Sequence, residues 1–245
     1  AHWAFASQGG NGGWIIDKLG ALDFAGGTVV EINSGAAALA LALVLGKREG
    51  FRTESMRPHN MPLVLLGAGM LWFGWFGFNA GSALSAGSLA ATAMINTQIC
   101  TAAAAMSWVL LERFRDGKAT TLGIASGAIA GAVAITPACG YVNPLGALVI
   151  GLIAGALSAF AVSRKYKWGY DDSLDVVGVH GVSGIIGMIG IGLFATVTVN
   201  ATGKEGLFIN GSVALLSKQL IAIAAVATFS FCATWLIATL ISRTI

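Results

Sequence analysis

Two ionisable side chains lie well inside apolar stretches of this sequence, where a charge is costly. Glu31 falls within the apolar run 23–46, and His180 falls within the run 174–197. Ionisable residues inside a membrane are rare and usually face a cavity or a pathway. A carboxylate and an imidazole can both take up and release protons, so the two residues together predict a site that handles protons. The other interpretation, a hydrogen bond across a helix interface, suits His180 better than Glu31.

Whether the two side chains meet depends on their depth. Helical rise places Glu31 about 12 Å below the outer end of its run and His180 about 9 Å above the inner end of its own. In a hydrocarbon core about 30 Å thick, the two depths differ by roughly 9 Å, a gap that helix tilt can close. Glycines at 178, 181 and 184 surround His180 and indicate that another element approaches it closely.

A stripe of aromatic and polar residues forms a second candidate site. Leu71, Trp75, Phe78 and Ser82 recur at i, i+4, i+7 and i+11, which puts them on one face of a helix. Aromatic rings attract small cations, so the stripe predicts a cation site near the outer surface. An aromatic belt at the membrane interface and core packing are the alternatives. Asp23, at the outer end of the first run, is interpreted as a helix cap whose charge also raises the local cation concentration.

Composition and hydropathy place the chain in a bilayer. Of its 245 residues, 56% are hydrophobic and 10% are charged, with a mean hydropathy of +0.79, whereas soluble domains carry about 25% charged residues. We therefore predict an all-α polytopic membrane protein with seven transmembrane helices. Their approximate ranges are 23–46, 62–83, 90–111, 120–137, 144–163, 174–197 and 213–241. Glycines repeated at every fourth position, at 123, 127 and 131 and again at 151 and 155, are typical of close helix packing.

The positive charges set an orientation. Eleven of the 14 Lys and Arg residues fall in alternate breaks between the spans or at the end of the chain, and such breaks are cytoplasmic by the positive-inside rule. These residues are Lys47, Arg48, Arg52, Arg57, Arg113, Arg115, Lys118, Arg164, Lys165, Lys167 and Arg243. We predict a multi-pass protein of the cell membrane whose first residue lies outside and whose last residue lies in the cytoplasm. The net charge of +3 then reflects topology rather than nucleic-acid binding.

Other function classes lack their signals in this sequence. Cys100, Cys139 and Cys232 do not have metal-ligand spacing. The sequence also has no GxGxxG, P-loop, HExxH or GxSxG motif. We therefore expect no metal, no cofactor and no enzymatic activity, including hydrolysis by Glu31 and His180.

Five stretches of the chain resemble the ammonium transporter (Amt/Mep/Rh) family, and they occur in the family order and cover nearly all of the sequence. They are "GALDFAGGTVVEIN", "RPHNMPLV", "GWFGFNAGSA", "SGAIAGAVAITPACGYV" and "DVVGVHGVSG". The resemblance implies eleven spans, an inverted repeat that relates the first five to the next five, and a hydrophobic pore in each subunit of a homotrimer. The seven predicted spans correspond to the fifth through the eleventh. Residues 1–245 would then be a partial ammonium transporter domain without the first four spans and the C-terminal tail.

The resemblance also implies roles for individual residues. In the family, two histidines line the middle of the pore. His180 matches the second, whereas Glu31 stands where the first is usual, as it does in some fungal members. Phe78 matches an aromatic gate residue, and Trp75 and Ser82 match residues near the outer ammonium site.

Three further positions complete this expected site. Phe5 stands where the outer site usually has a tryptophan, and Asp23 matches a structural aspartate that supports that site. We expect Leu71 and Val176 to line the pore.

The implied function is transport of ammonium. The cation would be recruited at the outer mouth and lose its proton, and ammonia would pass the Glu31–His180 pair inside an apolar pore. The implied partners are ammonium or ammonia, the bilayer, the other subunits of the trimer and a cytoplasmic PII-type signal protein. An Rh-like neutral gas channel and an ammonium sensor coupled to a signalling domain are the alternatives.

Overall fold

A computed structural model describes residues 1–5 and 12–244, and across these two segments the regular elements are helices. The helices are α1 (Asn33–Leu45), α2 (Met61–Gly81), α3 (Ser88–Asp116), α4 (Thr121–Ile135), α5 (Pro144–Trp168), α6 (Ser183–Phe194), α7 (Leu207–Asn210) and α8 (Ala214–Ser242). Short π-helical segments occupy Trp14–Leu19, Gly27–Ile32 and Val177–Val182. The second and third of these run directly into α1 and α6, so that Gly27–Leu45 and Val177–Phe194 are each one continuous helix.

Six helices in the described part of the chain are long and apolar enough to cross a membrane. They match six of the seven predicted spans. The fourth predicted span, 120–137, corresponds to α4, which has only 15 residues and continues into a buried turn through Val142. The polytopic all-helical architecture is therefore as predicted, whereas a count of seven spans stays a prediction.

Local signals in the sequence explain where several helices begin. The side chains of Asn60, Thr120 and Asn143 each accept a hydrogen bond from the backbone N–H three residues later. Such caps satisfy N–H groups that the first turn of a helix leaves unpaired. The helices α2 and α5 also have proline at one of their first positions, where the missing N–H costs nothing.

The glycine stripes of α4 and α5 both pack against α3. A Cβ on Gly131 would lie 2.6 Å from the Cys100 carbonyl oxygen, and a Cβ on Gly155 would lie 2.1 Å from the Ala104 carbonyl oxygen. Both distances are shorter than van der Waals contact, so these helices can lie this close only because the side chains are absent. The predicted packing role of the stripes is thus confirmed by their contacts.

Helix α8 is bonded at two points to the segment that carries Glu31. The Gln219 side chain donates to and accepts from the backbone of Leu22, at 2.8 Å in both cases. The Ser230 hydroxyl donates to the Asn33 carbonyl oxygen at 2.7 Å. Because both pairs advance by eleven residues, the two segments run parallel, and Glu31 lies between the two attachment points.

Gly155→Ala should destabilise the protein, because the added methyl group meets backbone that cannot move aside. Overpacking of this kind costs about 1–3 kcal/mol, which lowers the melting temperature of the detergent-solubilised full-length protein by several degrees. Gly74→Ala in α2 is the matched control, since a Cβ there has no atom within 4 Å. Equal melting temperatures for the two variants would contradict the packing assignment.

Candidate functional site

The Glu31 and His180 side chains are in direct contact. His180 Nδ1 lies 2.7 Å from Glu31 Oε2. The Glu31 side chain is 1% exposed, whereas the His180 side chain is 29% exposed. The other carboxylate oxygen of Glu31, Oε1, is buried and has no hydrogen-bond partner within the described residues. A buried acceptor without a partner is unusual and leaves one position at which an N–H or O–H donor can bind.

Glycines make this contact possible. A Cβ on Gly35 would lie 2.3 Å from the Gly181 Cα, and a Cβ on Gly184 would lie 2.9 Å from the Glu31 Cβ. The two helices therefore cross at backbone contact, next to the paired side chains. The close approach predicted from the glycines around His180 is the crossing of α6 with α1.

The two helices begin a few residues inside the predicted runs, at Gly27 and at Val177. Glu31 lies fourteen residues before the end of α1 at Leu45, and His180 lies fourteen residues before the end of α6 at Phe194. Each helix thus extends about 21 Å beyond its ionisable residue. The direct contact replaces the offset of roughly 9 Å that the sequence predicted for the two side chains.

Asp23 caps the helix that carries Glu31. Its carboxylate accepts hydrogen bonds from the N–H groups of Gly26, Gly27 and Thr28 at 2.7–2.9 Å and from the Thr28 hydroxyl at 2.5 Å. Gly26 has a φ of 118°, a conformation that residues with a side chain rarely adopt. The bonds agree with the interpretation of Asp23 as a cap that positions its helix.

Asp172 makes an equivalent cap on the helix that carries His180. Its Oδ2 accepts the Val177 N–H at 2.7 Å, as Asp23 Oδ2 accepts the N–H of the residue five positions later. Asp172 was not among the predicted site residues. Its spacing could have identified it, because Asp23 precedes Glu31 by eight positions and Asp172 precedes His180 by eight positions.

A cavity of about 1090 Å³ leads from His180 toward the loops rich in Lys and Arg. Leu71 lines it, as does Val179 beside the histidine. Val176 is half-buried at the start of the helix and is not among the lining residues. The cavity gives the imidazole a path to the basic side of the protein.

An ion pair fixes the wall of this cavity. Arg48 forms two side-chain hydrogen bonds with the Asp171 carboxylate, at 2.8 and 2.7 Å. The guanidinium holds the pKa of the Asp171 carboxyl below its usual range. The pair joins the loop after α1 to the loop before α6, so the two loops on this side are held together.

The aromatic stripe forms a separate cluster on α2. The Trp75 indole N–H donates to the Thr136 hydroxyl at 2.8 Å, and its ring packs edge-on against Phe78. The Ser82 hydroxyl donates to the Phe78 carbonyl oxygen at 2.9 Å. Phe5 is half-buried in a segment whose Trp3 contacts α8, and the described contacts do not join it to this cluster.

The described side chains offer no metal site, because no three His, Cys, Asp or Glu residues among them come together. The structure provides an acid–imidazole pair in which one carboxylate oxygen of Glu31 has no hydrogen-bond partner. A cavity leads from the pair toward the basic loops, and a separate aromatic cluster lies on α2. This set suits the binding and deprotonation of a small cation.

Comparison with known proteins identifies the family. The sequence model of the Ammonium Transporter Family matches residues 1–245. The chain belongs to the ammonium transporter family. Its membership confirms the predicted family and agrees with a transport protein rather than an enzyme.

Individual ammonium transporters support this assignment. The chain is 53% identical to the ammonium transporter of Mycobacterium tuberculosis over 253 residues, covering 100% of this chain and 53% of the relative. It therefore spans about half the length of the curated relatives it matches.

Two solved structures resemble this ammonium transporter chain. Mep2 of Saccharomyces cerevisiae has a TM-score of 0.86 and 39% identity, covering 93% of this chain and 52% of that one. A "Sensor Amt Protein" has a TM-score of 0.88 and 31% identity, covering 99% of this chain and 60% of that one.

Asp23→Ala should lower stability more than Thr28→Val does. The first change leaves three backbone N–H groups without their partner, at about 1–3 kcal/mol each when buried, whereas the second removes one hydroxyl donor. We expect a loss of at least about 3 kcal/mol for Asp23→Ala, measured as thermal unfolding of the solubilised full-length protein. A loss no greater than that of Thr28→Val would contradict the cap.

Proposed function

We propose that this chain is part of an ammonium transporter of the cell membrane and that the complete protein conducts. The observation that carries the proposal is the 2.7 Å contact between His180 and a buried Glu31 at the end of a cavity. A carboxylate removed from water is expensive unless it has partners, and Glu31 retains an oxygen without one. Ammonium and ammonia both carry N–H donors that this oxygen can accept.

Selection of the cation occurs at the outer mouth in this proposal. Stripping the water from ammonium costs many kcal/mol, so an apolar pore excludes the bare ion. Trp75 offers the face of its indole ring, whose N–H is held by Thr136. Ser82 offers a hydroxyl oxygen at the outer end of α2, and Phe78, the proposed gate residue, lies between Ser82 and Trp75 along the helix. Leu71 borders the path on its inner side, where it lines the cavity.

The acid–imidazole pair then separates the proton from ammonia. Ammonium gives up a proton, and neutral ammonia crosses the apolar passage. The proton is received by the Glu31–His180 pair and leaves through the cavity beside His180. Because the two side chains share one short hydrogen bond, we assign the step to the pair and not to one residue. Charge moves with each proton, so transport is electrogenic.

The complete protein supplies what this chain does not contain. We propose that residues 1–245 are part of a single transporter domain with eleven spans, of which this chain contributes the fifth through the eleventh. The basic loops face the cytoplasm, and residue 1 lies outside. The subunits form a homotrimer, and a PII-type signal protein binds the basic loops.

An ammonium sensor is the second candidate, because a sensor protein is among the similar structures. A sensor binds ammonium without a sustained current, and an Rh-like channel passes neutral ammonia. A current that saturates with ammonium favours the transporter over both.

Glu31→Gln should reduce the ammonium-evoked current at least tenfold in the full-length protein. The amide keeps the shape of the side chain, but it cannot take up a proton. The current is measured on a solid-supported membrane with reconstituted protein, and Glu205→Gln in an outer loop serves as the control. An undiminished current would remove Glu31 from proton transfer.

Trp75→Leu should raise the ammonium concentration that gives half-maximal current. Loss of a cation–π contact worth about 1–2 kcal/mol corresponds to a roughly 5–30-fold increase. Trp235→Leu is the matched control, because Trp235 lies on α8 and is 41% exposed. Equal half-saturation values for the two variants would place the cation site elsewhere.

A further inference from the structure

A buried lysine in the last turn of α5 packs against the start of the helix that carries His180. Lys165 is 6% exposed, and its ammonium group donates to the Asp172 carbonyl oxygen at 2.9 Å and to the Asp175 carboxylate. Lysine is almost never buried without a partner, because an unpaired buried charge is costly. Asp175 is a non-glycine residue with a φ of 59°, so the pairing coincides with an uncommon backbone conformation.

The pair is close to the proposed proton site. Lys165, Asp175 and His180 line the same cavity. The Asp175 carbonyl oxygen accepts the Val179 N–H at 2.8 Å, which makes it part of the turn that leads to His180. Asp175 directly precedes the helix and lies five residues before His180, which puts the two backbone positions roughly 8 Å apart along the axis. This distance is comparable to the screening length at physiological salt.

Other charged and titratable groups also face this cavity. Glu31 contacts the imidazole from the helix of α1. The loop after α1 contributes Arg48, Arg52, Glu54 and Arg57, and the end of α5 contributes Tyr166 and Lys167. The lining residues from α2 and α4 are apolar, small or hydroxyl-bearing. The same loop also carries Asp172, whose carboxylate caps the helix of His180, and Asp171, which is paired with Arg48. Among the charged groups that line the cavity, Lys165 and Asp175 are joined to that helix by the bonds described above.

We propose that the Lys165–Asp175 ion pair is an electrostatic positioning element that sets the pH range over which the Glu31–His180 pair passes protons. The inference rests on the proposed transport function and adds two residues to it. While the pair is intact, its charges nearly cancel at His180. Removing either charge leaves the other one unbalanced beside the proton path.

The two single variants should therefore act in opposite directions. Asp175→Asn leaves the Lys165 ammonium unbalanced, which opposes a proton on the pore pair, so the midpoint of the pH dependence of the current moves to lower pH. Lys165→Met leaves the Asp175 carboxylate unbalanced, which favours the proton, so the midpoint moves to higher pH. A unit charge at roughly 8 Å with an effective dielectric of 40–80 gives a shift of about 0.4–0.8 pH unit in each case.

The experiment is the pH profile of the ammonium-evoked current in the full-length protein, with folding checked by size-exclusion chromatography. A midpoint at least about 0.5 unit higher for Lys165→Met than for Asp175→Asn supports the proposal, and a smaller or reversed difference overturns it. The double variant should return to the wild-type midpoint, because both charges are gone. Arg115→Gln, which breaks the exposed Arg115–Asp116 pair outside the cavity, should leave it unchanged.

The experiment distinguishes failure of this inference from failure of the proposed transport function. If Lys165→Met does not fold, the partly exposed Asp175 decides: a downward shift of at least about 0.3 unit supports the proposal, and an unchanged midpoint overturns it. Absence of a saturable current in the wild-type protein overturns the transport function and this inference with it. A normal wild-type current with unshifted variants overturns this inference alone.

Discussion

The hydrogen bond between Glu31 and His180 constrains the rest of the structure, because a carboxylate in an apolar interior requires a partner. A 2.7 Å contact between helices on different parts of the chain demands that their backbones nearly touch. Gly35, Gly181 and Gly184 provide that approach. Gln219 and Ser230 of α8 then hold the Glu31 segment from its other side. A larger residue at the crossing would separate the pair and leave a buried charge unmatched.

The helices Gly27–Leu45 and Val177–Phe194 share one local arrangement and run antiparallel. Each begins with a π-helical segment, is capped by an aspartate eight residues before the ionisable residue, and has serine and glycine three and four positions after it. Helix N-termini have partial positive charge, and half-helices that end near the membrane middle use it at binding sites. Glu31 and His180 both lie in these first turns.

The sequence was sufficient for features that depend on composition and spacing. Apolar runs located six spans, the glycine stripes indicated close packing, and the cap at Asp23 followed from its position before a helix. Specific contacts between segments that are distant in the sequence could not be predicted from composition and spacing. The depth of Glu31 could not be obtained from the ends of apolar runs, since both helices start inside them. Trp75 bonds to Thr136, and Lys165 pairs with Asp175, through tertiary packing that hydropathy does not encode.

The replacement of a usual histidine by Glu31 changes what the pair can do. Two neutral imidazoles each hold one proton, and either can donate to the other by changing tautomer. A carboxylate has no N–H, so in its ionised form it only accepts, and the shared proton is then supplied by His180. While Glu31 is ionised, the bond has one polarity: the buried carboxylate accepts, and the partly exposed imidazole, which borders the cavity on the basic side, donates. Under the proposed mechanism, a proton taken up by Glu31 passes to the imidazole, which is the member of the pair that borders the cavity. The two ends of this bond therefore differ in both chemistry and exposure, whereas two imidazoles would differ in exposure alone.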